Sequence, residues 1–211
     1  QTVFVLSRVV VSYSEGAANV NLFKEKAVEL LPKCRRESGQ VFEHCLLAEG
    51  RPGVFMWMEE WEGMSGFLRH CGTEHGKAFH AVVDPLISEK CLTYRAFAPP
   101  GMEVLLPAHA FMQSTRGHAW VMDSVGFQGA VIPATSLLHV LRELRTTPGP
   151  GLVWQCWLQQ EPCEAIGCPG DRSSFVLVSE FDSLCAAQAM RSDLFSELSW
   201  SREVFSGMLA A

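Results

Sequence analysis

The order of apolar and polar positions in the first hundred residues alternates between two periods. Val3 to Tyr13 reads VFVLSRVVVSY, β-branched and apolar on both faces of an extended chain, and predicts a strand. SEGAANVN supplies turn residues and a helix start at Asn19 or Asn21. Phe23, Ala27, Leu30, Leu31 and Cys34 recur every three or four residues, which predicts an amphipathic helix ending near Ser38-Gly39. Pro32 lies inside that pattern and is expected to kink it, because its ring meets the carbonyl one turn back.

Two further strands are predicted at Val41 to Ala48 and Val54 to Trp61, joined by the hairpin loop EGRPG. Helical spacing returns over Met64 to His70 and Thr73 to Ser88, and Cys91 to Phe97 reads as a strand. The order is β-α-β-β-α-β, the ferredoxin-like arrangement.

FAPPGMEVLLPAHA, with three prolines and a glycine, reads as a linker. The boundaries are then a first domain over 1–98, a linker over 99–109 and a second domain over 110–211. In the second, strands are predicted from about Ala119 to Val125, Leu152 to Leu158 and Phe175 to Phe181. A short helix is predicted over Thr135 to Leu144, and a helical tail from Leu184 onward.

An offset of 120 lays Phe55 on Phe175, Glu60 on Glu180, Trp61 on Phe181 and Glu62 on Asp182, the order a diverged duplication leaves. One strand is missing from the second repeat: either that half is incomplete or another segment, with Ala110 to Ser114 the candidate, takes its place. VFVLSRVVV, VFMWM and FVLV hardly alternate, so both strand faces are expected to be covered. The fold class is therefore α+β: two ferredoxin-like repeats whose antiparallel sheets pack as a single-chain, pseudo-dimeric barrel.

Composition narrows the function classes. The chain is 48% hydrophobic and 19% charged, with a net charge of −6, which argues against a nucleic-acid or anionic-membrane partner. No run approaches the roughly 18–20 apolar residues of a membrane-spanning helix. Gln1 stands at the first position, which is compatible with an organellar or exported mature chain after loss of a leader. Eight cysteines form no CxxC pair, so a zinc ribbon or thioredoxin-type site is unsupported. Cys163 and Cys168 could close a loop; buried thiols are the plainer expectation.

The candidate chemistry lies in EEWEGMSGFLRHCGTEHGKAFH, where His70, His75 and His80 follow at five-residue steps. At 100° per residue, His75 is expected to point away from the other two, and no three-histidine metal site is expected. Glu59 and Glu60 end a buried strand, so one of them is expected to face a pocket or an ion pair between the halves, with a solvated strand end the plainer alternative. Trp57 and Trp61 are expected to pack in the core or line that pocket.

FKEKAVELLPKCRRESGQVFEHCLL resembles the helix-turn-strand of antibiotic biosynthesis monooxygenase domains, with Arg35, Glu37 and Gly39 before Val41. Glu60-Trp61, an apolar turn, then His70, Thr73, His75 and Phe79 resemble the same family's third strand and following helix. The likeness covers about residues 3 to 97. It implies a dimeric α+β barrel with one pocket per domain, and cofactor-free oxygenation of a small apolar aromatic substrate of the quinol or anthrone type. His70, His75, His80 and Glu60 are then the candidate catalytic residues, and Ser7, Trp57, Trp61 and Phe79 the candidate substrate contacts.

A haem-degrading branch uses an Asn, a Trp and a His where this chain has Ser7, His70 and His80. The ligand type survives at His80 alone, which leaves simple haem binding through His80 as a further expectation. With no metal or cofactor as the leading expectation, the rival function is a non-catalytic barrel acting as a structural or binding subunit of a larger protein assembly. At the offset of 120, the three histidines meet Met190, Phe195 and Trp200, so only the first repeat could be active.

Overall fold

In the computed structural model the residues described are 3–13, 16–97, 117–126, 150–161, 174–189 and 199–208. The chain divides into two compact units, Gln1–Arg95 with Gly207–Ala211, and Ala96–Ser206. The expected linker over 99–109 and the expected helix over 135–144 lie outside the described residues.

The first unit is built from strand β1 (Val3–Val11), helix α1 (Ala17–Cys34), strands β2 (Gln40–Ala48) and β3 (Val54–Trp61), helices α2 (Met64–Cys71) and α3 (Glu74–Val83), and strand β4 (Ile87–Phe97). β3 pairs antiparallel with both β1 and β2. β4 runs beside β1, where Ser12 N–H donates to Leu86 O at 2.7 Å. The strand order is thus β4-β1-β3-β2, with the helices on one face. Phe23, Ala27, Leu30, Leu31 and Cys34 of α1 pack with Cys45, Phe55 and Trp57 of the sheet, as the periodicity predicts. Each large side chain so buried contributes about 1.5–3 kcal/mol.

Every residue of β3 is buried, so both of its faces are covered, as its lack of alternation implies. α1 runs through Pro32 and ends at Cys34, four residues short of the expected stop. The second helical segment is also shorter than its pattern. α3 stops at Val83, a 3-10 turn over Asp84–Leu86 carries Pro85, and Ile87 and Ser88 are already strand.

The second unit repeats this plan with strands β5 (Ala119–Gly126), β6 (Leu152–Glu161), β7 (Ser174–Phe181) and β8 (Ser199–Met208) and helix α4 (Leu184–Ala189). β5 pairs with β7 and β8, and β7 with β6, giving the order β8-β5-β7-β6. One expectation is overturned here. The tail expected to be helical from Leu184 is helix over Leu184–Ala189 but strand over Ser199–Met208, and that strand, β8, supplies the fourth strand of the repeat; Ala110 to Ser114 lie outside the described residues. Phe205 lies opposite Trp120 and both are fully buried, so pairing with β5 decides the conformation of a segment whose apolar spacing is ambiguous.

The two units share the same strand register. β1 and β5 meet their partners equivalently: Phe4 opposes Glu60 and Trp120 opposes Glu180. The β2–β3 ladder shifts between Gln40 and Phe42, and the β6–β7 ladder shifts between Leu152 and Trp154, the same step in each repeat. Just before each step stands a glycine with positive φ, Gly39 at 86° and Gly151 at 79°. The carbonyl of each accepts from the residue after β3 or β7: Glu62 N–H at 2.8 Å and Asp182 N–H at 2.9 Å.

Candidate functional site

Strand alternation separates Glu59 from Glu60. Glu59 lies opposite Val5 and Glu43, on the same face as Trp57, and reaches the helices; Glu60 lies opposite Phe4 and Phe42 on the other face. Of the two acids that end β3, Glu59 therefore belongs to the helix-side site. Glu60 does not, which corrects its expected grouping with the histidines.

Around Glu59 a connected polar cluster, buried at Glu59, Glu43 and Cys34 and half-buried at Glu37, His70 and His75, lies beside α1, α2 and α3. Trp61 Nε1–H donates to Glu59 Oε2 at 2.8 Å, and His70 Nε2 stands 3.9 Å from the same oxygen. His70 Nδ1 meets Glu37 Oε1 at 2.8 Å, and His75 Nε2 meets that oxygen at 2.7 Å. On the far side of Glu59, Glu43 accepts from Trp57 Nε1–H at 2.5 Å and from Gln40 Nε2–H at 2.9 Å. The Cys34 thiol, at the last turn of α1, is buried close enough to Glu43 for the two to affect each other's pKa. Trp61 covers His70, with ring centres 5.0 Å apart, and Phe79 packs on Trp57 at 5.5 Å.

The joint between α2 and α3 makes this convergence. At Gly72-Thr73 the helix breaks; Thr73 Oγ1–H donates to His70 O at 2.8 Å, and Thr73 Oγ1 caps α3 by accepting from Gly76 N–H at 3.3 Å. The restart of the helix cancels the rotation an unbroken helix would impose. His70 and His75 therefore share one carboxylate oxygen instead of pointing apart, as ideal helical geometry predicts.

Burial and mutual repulsion set the charges. Burial, then the neighbouring Glu43, raises Glu59 to about 7, against the opposing effect of His70 and the Trp61 hydrogen bond. Burial raises Glu43 too, partly offset by Gln40 and Trp57. For His70, burial disfavours the cation, but Glu59, Glu37 and Glu43 together outweigh it and the pKa is raised. Burial first, and then Glu43, holds the Cys34 thiol well above its ordinary range. A carboxylic acid pushed up to about 7 beside an imidazole whose pKa is also raised, 3.9 Å away, is an arrangement suited to exchanging a proton.

His80 lies apart from the cluster. Its side chain is 66% exposed and pairs with Asp84 Oδ1 at 2.9 Å. That position does not fit an axial haem ligand, which stands over an apolar cavity. Ser7 is half-buried on β1 opposite Trp57, on the face that carries the cluster. Trp57, Trp61, His70, His75 and Phe79 thus lie on the helix side of the first sheet, in or beside the cluster.

Cys34, Gln40 and Glu43 carry no role in the sequence reading, and Glu37 enters it only within the Arg-x-Glu-x-Gly run. The signal for Glu43 is an acid inside QVFEHCLLA, at a position whose strand neighbours are buried.

The second repeat lacks this chemistry at the equivalent ladder positions. Gln155 and Ser179 occupy the places of Glu43 and Glu59, and Gln155 Nε2–H donates to Ser179 Oγ at 2.9 Å. Its own charges are arranged otherwise. Asp123 is gripped by Arg202 at 2.6 and 3.0 Å, and Glu180 accepts from His118 Nδ1 at 2.6 Å.

This fold, two α+β repeats of ferredoxin type in one chain, is that of solved monooxygenase-like proteins. The protein described as "putative monooxygenase" from Fusobacterium nucleatum matches with a TM-score of 0.69 at 10% identity, over 99% of this chain and 93% of its own. A protein of the same description from Lactobacillus acidophilus NCFM matches with a TM-score of 0.62 at 11% identity, over 99% and 94%. An anthrone oxidase-like protein matches with a TM-score of 0.66 at 11% identity, over 97% and 90%. Coverage of both repeats by one chain extends the likeness over the whole two-repeat fold, and at these identities the likeness is one of fold. No protein-family profile and no curated protein sequence matches the chain.

Proposed function

We propose that the chain is a monooxygenase-like enzyme that works in its first repeat, on a flat, electron-rich aromatic substrate of the quinol or anthrone class. The observation that carries this reading is the asymmetry of the repeats. In the first repeat the facing acids Glu43 and Glu59 lead on to His70, Glu37 and His75 beside Trp57, Trp61 and Phe79, whereas the ladder positions of Glu43 and Glu59 in the second repeat hold a neutral Gln155–Ser179 pair. The likeness in fold to an anthrone oxidase-like protein supports the substrate class.

The chemistry asked of the protein is modest. The Glu59–His70 pair takes a proton from the activated C–H of an anthrone. The resulting carbanion supplies the electrons that reduce dioxygen, forming a C–O bond and a peroxide that takes the proton back. Removal of the second C–H proton as the O–O bond breaks expels the outer hydroxyl as water and leaves the ketone, so one oxygen atom enters the product and one leaves as water. The tryptophans orient the ring and exclude solvent, and no cofactor is required of the protein.

An oxygen electrode tests this with anthrone and a hydroquinone as substrates. Saturable uptake that Glu59→Gln lowers at least about 100-fold is the expected result, the range of a lost general base. Absence of saturable uptake, or uptake indifferent to Glu59→Gln, overturns it in favour of a binding or assembly subunit.

A further inference from the structure

Four donors of the cluster come together more closely than proton transfer requires. Cys34 Sγ, an oxygen of Glu37 and one ring nitrogen each of His70 and His75 all lie within 4.8 Å of one another. We propose that Cys34, Glu37, His70 and His75 form a binding site for a divalent transition-metal ion of the zinc class.

The donor set decides the class of ion. One thiolate, two imidazoles and one carboxylate are borderline-soft ligands that suit zinc or cobalt, whereas calcium and magnesium take oxygen ligands. Four protein ligands are the number a tetrahedral site takes. Ligand bonds of about 2.0–2.3 Å place tetrahedral donors roughly 3.3–3.7 Å apart. The contacts of 2.7 and 2.8 Å at Glu37 would open by less than 1 Å, and the widest separation of 4.8 Å would close by little more than 1 Å.

The ligands come in two pairs from short segments. Cys34 and Glu37 flank the end of α1, where Glu37 N–H donates to Cys34 O at 2.9 Å; His70 and His75 flank the capped joint at Thr73. Rotamer changes alone could bring the set together.

An outer shell is also in place. With Nδ1 on the ion, the proton of His70 resides on Nε2, which faces Glu59 Oε2 at 3.9 Å. A carboxylate behind a ligating imidazole is the usual support of such a site. The Cys34 proton leaves to solvent on binding, and one thiolate with one carboxylate neutralises the dication. Glu37, 13% exposed, and His75, 26% exposed, leave the site a route to solvent.

This site does not depend on the oxygenase reading, since the donors would take an ion whether or not the chain turns over substrate. Loading would occupy Glu37 and His70, so oxygen uptake is to be compared in metal-loaded and chelator-treated protein.

Titration of the chelator-treated full chain with Zn²⁺ by calorimetry, and with Co²⁺ by absorption, tests the proposal. One equivalent is expected to bind with proton release, and Co²⁺ is expected to show a thiolate charge-transfer band together with tetrahedral d–d bands. His75→Ala, at a partly exposed position, should weaken Zn²⁺ binding by more than the roughly 100-fold that loss of an outer-shell partner alone can cost. Cys34→Ser should abolish the charge-transfer band, and Cys71→Ser, at an exposed thiol, should leave both readouts unchanged. No saturable binding, or binding that His75→Ala and Cys34→Ser leave intact, overturns the proposal, and neither result touches the oxygen-uptake experiment.

Discussion

Glu43 and Glu59 stand directly opposite one another across the β2–β3 ladder, both buried, where the second repeat sets Gln155 against Ser179. Like charges across a ladder repel, and burial adds the cost of desolvation. Such an arrangement is destabilising by itself and persists where something uses it. Glu59→Gln keeps an acceptor for the Trp61 indole and removes one charge. Unfolding in urea at pH 8 should show the variant as stable as the parent or more so, by about 1 kcal/mol. A loss of stability there would mean that the charged form is structural.

Glu60, on the other face, gives the pH dependence its clearest sign. Burial raises its carboxyl to about 7 from 4.5, and its Oε2 has no hydrogen-bond partner among the described residues. The folded state then binds more protons than the unfolded one between about pH 4.5 and 7. Stability contributed by Glu60 is complete below that window and is lost as pH rises through it, with a slope of up to about 1.4 kcal/mol per pH unit. Urea midpoints at pH 5, 6, 7 and 8 should fall less steeply in Glu60→Gln than in the parent. Parallel curves would mean that Glu60 is ionised throughout.

In the second repeat, Asp123 occupies the ladder position equivalent to Ser7 of the first, and Arg202 on β8 lies opposite it. Asp123 is fully buried, and burial raises its pKa despite the guanidinium. Arg202→Ala leaves that charge uncompensated and should cost about 3–5 kcal/mol, whereas Asp123→Ser with Arg202→Ala should recover most of it. Denaturant midpoints of the two single variants and the double close the cycle; additive losses would mean that the pair contributes by packing alone.

The repeat and its strands were legible because near-continuous apolar runs such as VFMWM at β3 and FVLV at β7 leave little choice of element. β8 was not, because SWSREVFSGM carries its apolar residues at spacings that suit a helix equally well until β5 is beside it. The site was half legible. His70 and His75 stand out by type, but their convergence depends on a cap at Thr73 that rotates one helix against another. Glu60 was selected over Glu59 because a strand's two faces cannot be ranked until the helices are placed. Glu37 and Cys34 enter only through the path of the chain after α1.

The two glycines before the ladder steps sit at equivalent places in different surroundings. Gly39 and Gly151 both have φ near +80°, where an L side chain costs roughly 1–2 kcal/mol. Their surroundings differ. A Cβ on Gly39 would find its nearest neighbours at 3.9 Å, whereas one on Gly151 would stand 2.6 Å from Asp182 Oδ1 and 2.7 Å from Ala186 Cβ. Gly39→Ala should therefore cost about the conformational penalty alone. Gly151→Ala should cost more, because Ala186 is fixed on α4 and cannot withdraw without moving the helix. Thermal melts of the two variants should rank Gly151→Ala below Gly39→Ala. Equal losses would mean that α4 shifts freely, and that the turn alone sets the price in both repeats.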